Sequence, residues 1–563
     1  MGTTSTTGNL STMPLSRTLP RLLDELAATY GPRPALAGGG RVMVDGLLQS
    51  VARRLTYTDW KAEALQVARR LYRLGVRPGD KVAILMGNRP EWISACFGIS
   101  MLGATVVTIN TWATVSELEY LLHHSDTTLL IASPAFLKAD YGQMLRALEP
   151  HATRLPLLRG ILGAGHAAGA ALPRGWQPLF DGATDTDAAA DAEISRAAAA
   201  VQPADIALLL YTSGSTSRPK GVQLQHYALI ENDWNIGERM HVNADDRVWL
   251  AVSLFWGYGC ANAMLNLLTH GGSIVLQEWF EPGEALRLID EEKCTVYYGT
   301  ANMAQALMAH PARAAHDLST LRVGGSTGSR EQVMRVMELG VKQVCNVFGL
   351  TETYGFSHIT DAHDDLEHKF NSSGFPLPNV QTRVVSLDGV DLPPGEVGEL
   401  RLKGYITPGY YKQPELSAQA FDEQGYFRTG DLVCEDAARY MQFRGRIKEM
   451  IKTGGINVAP AEVELLLVAY PGVALALVVG VPDQEREEIV AAVIAAKPGV
   501  TLDLAAITVY CKTHLAAYKV PRLLRVINEA DLPLTTTGKV QKNRIAAVFF
   551  APDSLRYPLQ GPS

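Results

Sequence analysis

The chain has 563 residues, and since single hydrophobic cores stop growing well before this length, we expect two or more domains. Hydrophobic residues make up 47% of the chain and charged residues 19%, a composition typical of globular proteins that excludes a disordered or fibrous one. The formal net charge of −7 argues against a dedicated nucleic-acid binder, and no apolar run reaches the length needed for stable insertion into a membrane. We expect a cytoplasmic protein whose six cysteines are reduced thiols.

Helical and strand-like patterns alternate along the chain. Apolar residues at helical spacing predict a helix that begins with Thr58 or Asp59 as its N-cap and ends at Gly75. Two Ala/Gly-rich stretches, residues 163–172 and 188–201, are expected to be surface excursions. Repeated strand–helix–strand units predict parallel sheets covered on both faces, and hence an α/β architecture. The apolar runs that predict buried strands include DKVAILM, ATVVTIN, TTLLIAS, DIALLLYT, RVWLAVSLF and CTVYYGT.

A loop rich in small and hydroxylated residues follows one of these strands, in the stretch YTSGSTSRPKGV (residues 211–222). A loop after a strand faces the carboxyl edge of the sheet, where α/β proteins bind ligands. Gly214 frees the backbone, the hydroxyl groups and main-chain N–H groups suit phosphate oxygens, and Lys220 adds a positive charge. The loop is not a Walker A motif, because Pro219 precedes the lysine and Gly221 follows it. On these residues alone, an ordinary polar turn is the alternative.

The same loop resembles the phosphate loop of the adenylate-forming superfamily, which contains acyl-CoA synthetases, aryl-acid and amino-acid adenylating enzymes, and luciferases. The resemblance covers about Leu55 to Ile545, with Ser217 where the family usually has glycine. It implies a large N-terminal AMP-binding domain of parallel and mixed sheets covered by helices, with a small β subdomain, over residues 1–447. A small mobile C-terminal α/β domain, residues 448–563, would follow a hinge at Lys448. The other matching motifs, in family order, are NVFGLTE (346–352), YFRTGDL (426–432), GRIKEMIKTGGINVAPAEVE (445–464) and PLTTTGKVQKNRI (533–545).

The resemblance also implies which residues bind ATP. Glu352 is expected to bind Mg²⁺ through a hard carboxylate oxygen, with Thr216 as a second metal ligand. Asp431 can accept hydrogen bonds from both ribose hydroxyls, and Arg446 resembles the family's ribose or phosphate contact. The alternatives are a helix start for Glu352, a turn cap for Asp431 and a surface position for Arg446. The full set expected at the nucleotide is Thr212, Ser213, Gly214, Ser215, Thr216, Lys220, Gly325, Ser326, Thr327, Asn346, Val347, Phe348, Gly349, Thr351, Asp431, Arg446 and Lys539.

Lys539 is the principal catalytic candidate, beside Glu352 and Lys220. Attack of an acid on the α-phosphate of ATP builds negative charge on the phosphate oxygens and on pyrophosphate, and a lysine placed against that charge stabilises the transition state. In the resemblance, the small domain swings between two positions. One brings Lys539 to the nucleotide, and the other brings KTGGIN, where Gly454 and Gly455 leave room for the thiol-bearing arm of CoA.

The stretch VSLFWGYGCANAMLN (residues 252–266) occupies the family's region of acid specificity. Trp256 stands where many fatty-acid ligases carry histidine, and FWGYG, with Tyr258, resembles the FFAYG-type segment of benzoate-CoA ligases. Aromatic walls suit a flat or compact acyl group, although aromatic residues after a strand also form ordinary cores. This stretch contains no aspartate that could pair with the α-ammonium group of a substrate, which disfavours a free amino acid as the substrate. Further pocket residues, by position in the family, are Thr300, Ala301, Gly325 and Gly349.

The sequence therefore predicts an AMP-forming acid–thiol ligase. It would activate a carboxylic acid with ATP and Mg²⁺, release pyrophosphate, and transfer the acyl group to CoA. A separate carrier protein or an amine as acceptor, a small inorganic acid such as nitrite as substrate, and a catalytically dead nucleotide-binding protein are the alternatives, and a homodimer stays open. The charged stretch HDDLEH (residues 363–368) is interpreted as a solvated loop and not as a metal site.

Overall fold

The computed structural model describes residues 13–39, 41–44, 47–50, 53–164, 172–180, 187–212, 218–453, 456–534 and 540–551. Two compact units divide the chain, Met1–Gln381 with Leu402–Phe427 and Thr382–Arg401 with Arg428–Ser563. In this division, residues 382–401 and 428–447 fall with the C-terminal residues. The domain boundary near Lys448 and the hinge there stay predictions.

The strands are numbered in chain order. They are β1 (Pro34–Gly38), β2 (Arg41–Val44), β3 (Leu47–Ser50), β4 (Arg53–Thr56), β5 (Lys81–Leu85), β6 (Thr105–Thr108), β7 (Thr127–Ala132), β8 (Ala135–Phe136), β9 (Ala139–Asp140), β10 (Gly160–Gly163), β11 (Gln177–Pro178), β12 (Ile206–Thr212), β13 (Lys220–Gln225), β14 (Arg247–Leu250), β15 (Ser273–Leu276), β16 (Val296–Tyr298), β17 (Val323–Ser326), β18 (Gln343–Leu350), β19 (Gly355–Ile359), β20 (Phe375–Pro376), β21 (Gln381–Val385), β22 (Val397–Lys403), β23 (Phe427–Glu435), β24 (Met441–Arg446), β25 (Ile451–Thr453), β26 (Ile456–Val458), β27 (Val473–Asp483), β28 (Glu487–Ala496) and β29 (Leu523–Val526).

The α-helices follow the same convention. They are α1 (Leu19–Tyr30), α2 (Tyr57–Arg73), α3 (Pro90–Ser100), α4 (Val115–His124), α5 (Tyr141–Arg146), α6 (His151–Arg154), α7 (Ala188–Ala200), α8 (His226–Met240), α9 (Met264–Thr269), α10 (Pro282–Glu291), α11 (Ala301–Ala309), α12 (Arg330–Glu338), α13 (Leu366–Asn371), α14 (Pro414–Gln419), α15 (Pro460–Ala469), α16 (Leu504–His514) and α17 (Lys542–Phe550).

The first unit is built on two large sheets. One has the strand order β20-β19-β18-β17-β16-β14-β15-β1-β4, and the other has β11-β10-β7-β5-β6-β12-β13. The inner strands of both are parallel, while β13 pairs antiparallel to β12 and β19 antiparallel to β18. Helices cover the sheets and close hydrophobic cores against them. The predicted α/β class is confirmed.

The second unit contains the four-stranded sheet β21-β22-β23-β24 and a sheet of β25 to β29. The long hairpin β27–β28 carries apolar side chains on both faces, as a strand covered on both sides must. Helices α15 and α16 pack in one core against it, and α17 packs in a second.

Two local predictions need correction. Helix α2 has Thr56 as its N-cap, not Thr58 or Asp59, because the Thr56 hydroxyl accepts from the backbone of Asp59 and the Asp59 side chain accepts from the backbone of Thr56. The Ala-rich stretch 188–201 is not an excursion but is largely helix α7, capped by Asp187. Alanine has the highest helix propensity, which explains the helix.

Candidate functional site

The predicted phosphate loop connects the antiparallel strands β12 and β13. Thr212 at the end of β12 pairs with Lys220 at the start of β13, so the register of this hairpin places the lysine at the mouth of the loop. Four predicted loop residues, Ser213, Gly214, Ser215 and Thr216, lie outside the described residues.

The structure brings two of the predicted site residues together, with Lys220 Nζ 4.0 Å from Glu352 Oε1. Tyr410 contacts both: its hydroxyl donates to the same carboxylate oxygen over 2.9 Å, and its ring centroid is 4.3 Å from Lys220 Nζ. Burial first, and then the negative charge of Glu352, raise the pKa of the Tyr410 hydroxyl well above its ordinary value. The hydroxyl therefore stays protonated and holds the carboxylate in place. Sequence reasoning did not find Tyr410, because nothing in the local pattern GYY connects it with a glutamate 58 residues away.

A tight reversal of the chain positions Glu352. Strand β18 ends at Leu350, a short 3₁₀ turn covers residues 351–353, and Tyr354 adopts φ of 57° before β19 begins. The Thr353 hydroxyl accepts from the Leu350 N–H over 2.9 Å, and the Thr407 N–H donates to the Glu352 carbonyl over 2.7 Å. Thr351, another predicted nucleotide contact, is half-buried on this turn.

The residues predicted to hold adenine lie on adjacent parallel strands. Ser326 of β17 pairs in register with Asn346 of β18, and Thr327 follows as an exposed residue. The Asn346 N–H donates to the Thr360 hydroxyl over 2.9 Å, and the Thr360 N–H donates to the Asn346 carbonyl over 3.0 Å. The Asn346 side-chain amide donates to the carbonyls of Gly328 and Lys369. Asn346 Oδ1 and Ser326 Oγ are buried and have no hydrogen-bond partner in the part of the chain that the structure describes. Both atoms therefore have hydrogen-bonding capacity that the described side chains do not use.

The other predicted adenine residues continue along β18. Val347 is buried, and the half-buried ring of Phe348 packs edge-on against His358 with centroids 6.0 Å apart. Gly349 cannot be replaced, since a Cβ there would come within 1.7 Å of the Gly355 carbonyl oxygen. Close approach of β18 and β19 therefore requires glycine at this position.

The predicted acid-specificity segment is fixed at its backbone by residues distant in sequence. The Asn88 side chain donates to the Val252 carbonyl over 2.9 Å and accepts from the Leu254 N–H over 2.8 Å. The Thr108 hydroxyl donates to the Phe255 carbonyl over 2.9 Å. The segment then enters a π-helix, Gly259–Ala263. These hydrogen bonds fix the backbone that carries the following aromatic side chains.

Two groups of aromatic side chains follow from this arrangement. The Trp256 ring lies 5.5 Å from Trp112 and 5.3 Å from Phe255, and the Tyr258 ring lies 5.1 Å from Tyr298. Burial raises the pKa of the Tyr258 hydroxyl above its ordinary value. Aromatic pairs at these separations pack favourably and form stiff walls.

The predicted pocket residue Gly325 lies next to Tyr258. Its hydroxyl is 3.4 Å from the carbonyl oxygens of Gly299 and Gly325, and a methyl group at Gly325 would meet one described atom within 4 Å, the Tyr258 hydroxyl at 3.8 Å. Space therefore lies over Gly325. Next to Gly299, the exposed Thr300 caps helix α11, and buried Ala301 begins it.

In the second unit, the structure brings Asp431 and Arg446 together. They face each other across the antiparallel pair β23–β24, and Arg446 Nε lies 2.8 Å from Oδ1 of the fully buried Asp431. The Asp431 N–H donates to the Thr429 hydroxyl over 3.1 Å. Gly430 between them has φ of 69°, which favours glycine and explains the TGD pattern.

The remaining predicted residues flank or fall in gaps of the described chain. Lys448 is exposed on a short 3₁₀ turn, Ile447–Glu449. Gly454 and Gly455 lie outside the described residues, between the paired strands β25 and β26. Lys539 also lies outside them, between Leu534 and Val540, which form a β-bridge.

Comparisons with known proteins agree with this architecture and these motifs. Residues 23–411 match the family model of AMP-binding enzymes, and residues 462–539 match that of the AMP-binding enzyme C-terminal domain. The chain belongs to the AMP-binding enzyme family. The predicted reaction class is thereby confirmed: an AMP-forming acid–CoA ligase that works through an acyl-adenylate, with ATP and CoA as the co-substrates consistent with the family.

Individual AMP-binding enzymes resemble the chain over nearly its whole length. YngI of Bacillus subtilis, which bears the name of an acyl-CoA synthetase, is 32% identical over 94% of this chain and 96% of its own. A feruloyl-CoA synthase of an Amycolatopsis species is 33% identical over 88% of this chain and 94% of its own. The crystal structure of the anthranilate CoA ligase AuaEII with anthranoyl-AMP superposes with a TM-score of 0.77 at 28% identity, covering 95% of this chain and 98% of that one.

In the described part of this AMP-binding enzyme, none of the helices is both long enough and apolar enough to cross a bilayer.

Proposed function

We propose that this AMP-binding enzyme activates an aryl or otherwise compact carboxylic acid and transfers it to CoA. The observation that carries the proposal is the open space over Gly325, bounded by the Tyr258 hydroxyl and backed by the aromatic side chains around it. A flat ring fits a slot with aromatic walls, whereas a long alkyl chain needs a tunnel. The named acids of two similar proteins, anthranilate and ferulate, are aryl acids and support this class.

We assign the phosphate chemistry of the first unit to Lys220 and Glu352. A buried carboxylate held by one hydrogen bond suits Mg²⁺, which prefers a few oxygen ligands and keeps water and phosphate oxygens for the rest. The cation, with Thr216 as a further ligand, would neutralise phosphate charge during adenylate formation. Lys220 would bind a phosphate oxygen, because its ammonium lies 4.0 Å from Glu352 Oε1, beyond hydrogen-bonding distance.

The adenine base, in this proposal, is held at Asn346. The amide of this side chain already donates to two carbonyls, so its Oδ1 is directed elsewhere and is buried without a described partner. An adenine amino group would donate to it, and Phe348 offers a flat surface beside it. Ribose binding is assigned to Asp431 and Arg446, as in the family.

Transfer to CoA is assigned to the C-terminal residues. Lys539 would stabilise the charge that develops during adenylation, and Gly454 and Gly455 would admit the thiol-bearing arm of CoA. Movement about Lys448 would bring either Lys539 or the two glycines to the nucleotide. An exposed lysine on a one-turn 3₁₀ segment is compatible with a hinge, because few packed contacts oppose a change of its backbone.

The test is acid-dependent pyrophosphate release over a panel of aryl, cyclic and short-to-medium alkyl acids plus nitrite, with and without CoA. We expect aryl acids to give the highest kcat/KM and acyl-CoA to form only when CoA is present. A panel dominated by linear fatty acids would contradict the acid class. Turnover to product without CoA would instead indicate an amine, a carrier protein or water as acceptor.

Gly325→Ala sharpens this test. The added methyl has room in the folded protein but occupies the space over Gly325, so the KM for the preferred aryl acid should rise about tenfold, more than the KM for ATP. Gly160→Ala in β10 is the matched control, because its Cβ would make one ordinary contact of 3.4 Å with Leu129. Unchanged acid kinetics in Gly325→Ala would place the acid elsewhere.

A further inference from the structure

A group of side chains of the kinds that bind metal ions lies at the end of helix α8 and contains none of the residues assigned to the nucleotide. It consists of His241, Asp361 and His363, whose ligand atoms all lie within 4.8 Å of one another. Among the residues that the structure describes, it is the one group of at least three histidine, cysteine or carboxylate side chains that meets this spacing. Sequence reasoning dismissed His363 as part of a charged loop, because His241 is 122 positions away in the chain.

Two rigid segments bring the three side chains together. His241 terminates α8 in the left-handed conformation, with φ of 50°, and Arg322 donates to its carbonyl over 2.6 Å. The turn that carries Asp361 and His363 is attached to the same helix end, since the Ala362 N–H donates to the Arg239 carbonyl over 2.8 Å. The buried Lys369 ammonium donates to the Ala362 carbonyl over 2.6 Å. The backbone of the site is therefore held in place before any ion binds.

The three side chains contact one another directly. His241 Nε2 lies 2.9 Å from Asp361 Oδ1, and the His241 and His363 rings stack with centroids 4.1 Å apart. The His363 N–H also donates to Asp361 Oδ1, which fixes the carboxylate. Ligand atoms around a tetrahedral zinc ion lie roughly 3.3 Å apart, as follows from its bond lengths. An ion lies in the plane of each imidazole that binds it, so binding requires the stacked rings of His241 and His363 to rotate out of their present arrangement, and the exposure of both side chains allows that rotation.

We propose that His241, Asp361 and His363 bind one divalent transition-metal ion, and that the ion bound in the cell is Zn²⁺. Two imidazoles and one carboxylate are the ligands that zinc and its neighbours prefer, whereas Mg²⁺ and Ca²⁺ take oxygen ligands. The site is thus distinct in chemistry from the magnesium position assigned to Glu352. Its fourth position would hold water.

The ion would also make the turn next to Asn346, the proposed adenine-binding residue, more rigid. Thr360, next to Asp361, is the residue whose backbone and hydroxyl bind the backbone of Asn346. Metal binding would tie this turn to α8 and should raise the midpoint of thermal unfolding, since a ligand that binds the folded state stabilises it.

The experiment is a zinc titration of the untagged, chelator-treated full chain by isothermal calorimetry, with excess Mg²⁺ present. The variants are His241→Asn, which keeps a residue that tolerates the left-handed conformation, and His363→Gln, which changes an exposed side chain. His514→Gln, an exposed histidine of the second unit, is the matched control. Thermal unfolding shows that each variant is folded, and visible spectra of bound Co²⁺ report histidine ligation.

We expect one Zn²⁺ per chain in the wild type and in the control, unaffected by Mg²⁺. Each of the other two variants should lose more than about tenfold in affinity and should alter the Co²⁺ spectrum. Equal zinc binding in all four proteins, competition by Mg²⁺, or no binding to the wild type would overturn the proposal. Should His241→Asn fail to fold, His363→Gln alone decides the outcome.

Discussion

Two pairs of opposite charge in this enzyme are built differently. Lys220 and Glu352 stand 4.0 Å apart without direct contact, and Tyr410 binds both. Asp431 and Arg446 touch at 2.8 Å across a strand pair, with the aspartate fully buried. Strand register fixes the geometry of the second pair, whereas a tyrosine from a distant loop joins the first. In the proposed roles, the separated charges would meet a cation and a phosphate, and the paired aspartate would accept hydrogen bonds from ribose.

The largest effect should come from a lysine that belongs to neither pair. Lys539→Ala should lower acid-dependent ATP–pyrophosphate exchange by roughly 1000-fold, because charge on the departing pyrophosphate loses its counter-charge. ATP binding, measured by equilibrium dialysis, should persist, which would separate the role of Lys539 from that of Lys220. Lys512→Ala, an exposed lysine in the same unit, is the control. Exchange within a few fold of wild type would refute the catalytic role.

Breaking the separated pair comes next. Glu352→Gln removes the carboxylate charge but keeps the shape, and should lower the exchange rate roughly 100-fold. The Mg²⁺ concentration for half-maximal rate should rise, and that shift is the measurement that identifies a metal ligand. Glu338→Gln on the exposed face of α12 should change neither quantity. A lower rate with an unaltered Mg²⁺ dependence would argue for a structural role.

Tyr410→Phe tests the residue that joins the separated pair. The change removes the hydroxyl donated to Glu352 but keeps the ring beneath Lys220, so we expect kcat for exchange to fall about tenfold. Its neighbour supplies a close control, since the Tyr411 hydroxyl donates to Asp126 over 2.8 Å and not to Glu352. Equal effects of Tyr410→Phe and Tyr411→Phe would show that the hydroxyl serves packing and not the position of the carboxylate.

The smallest effect concerns movement. Lys448→Pro restricts the backbone at the proposed hinge and should slow one half-reaction about fivefold more than the other, because each needs a different position of the C-terminal residues. Single-turnover adenylation and thioester formation would be measured separately, with Lys448→Ala as the control for loss of the side chain. Parallel losses in both half-reactions would count against a swinging domain.

Much of the fold was predictable because its signals are local. Apolar runs located β5, β6, β7, β12, β14 and β16, and helical spacing located α2. The N-cap of α2 was predicted two or three residues too late in the chain. Several hydroxyl and acidic side chains near Thr56 could each cap a helix, and the local pattern does not choose among them. The Ala-rich stretch that forms α7 was misread because low complexity is typical of loops as well as of helices.

The sequence by itself determined the family, the reaction class and the motifs, because each motif is a short run whose residue types are set by nucleotide chemistry. Only the tertiary structure decided which side chains meet: Tyr410 at Glu352, Tyr258 over Gly325, and His241 beside His363. Such contacts join positions tens to more than a hundred residues apart. They depend on how strands and helices pack, and local periodicity carries no record of that packing.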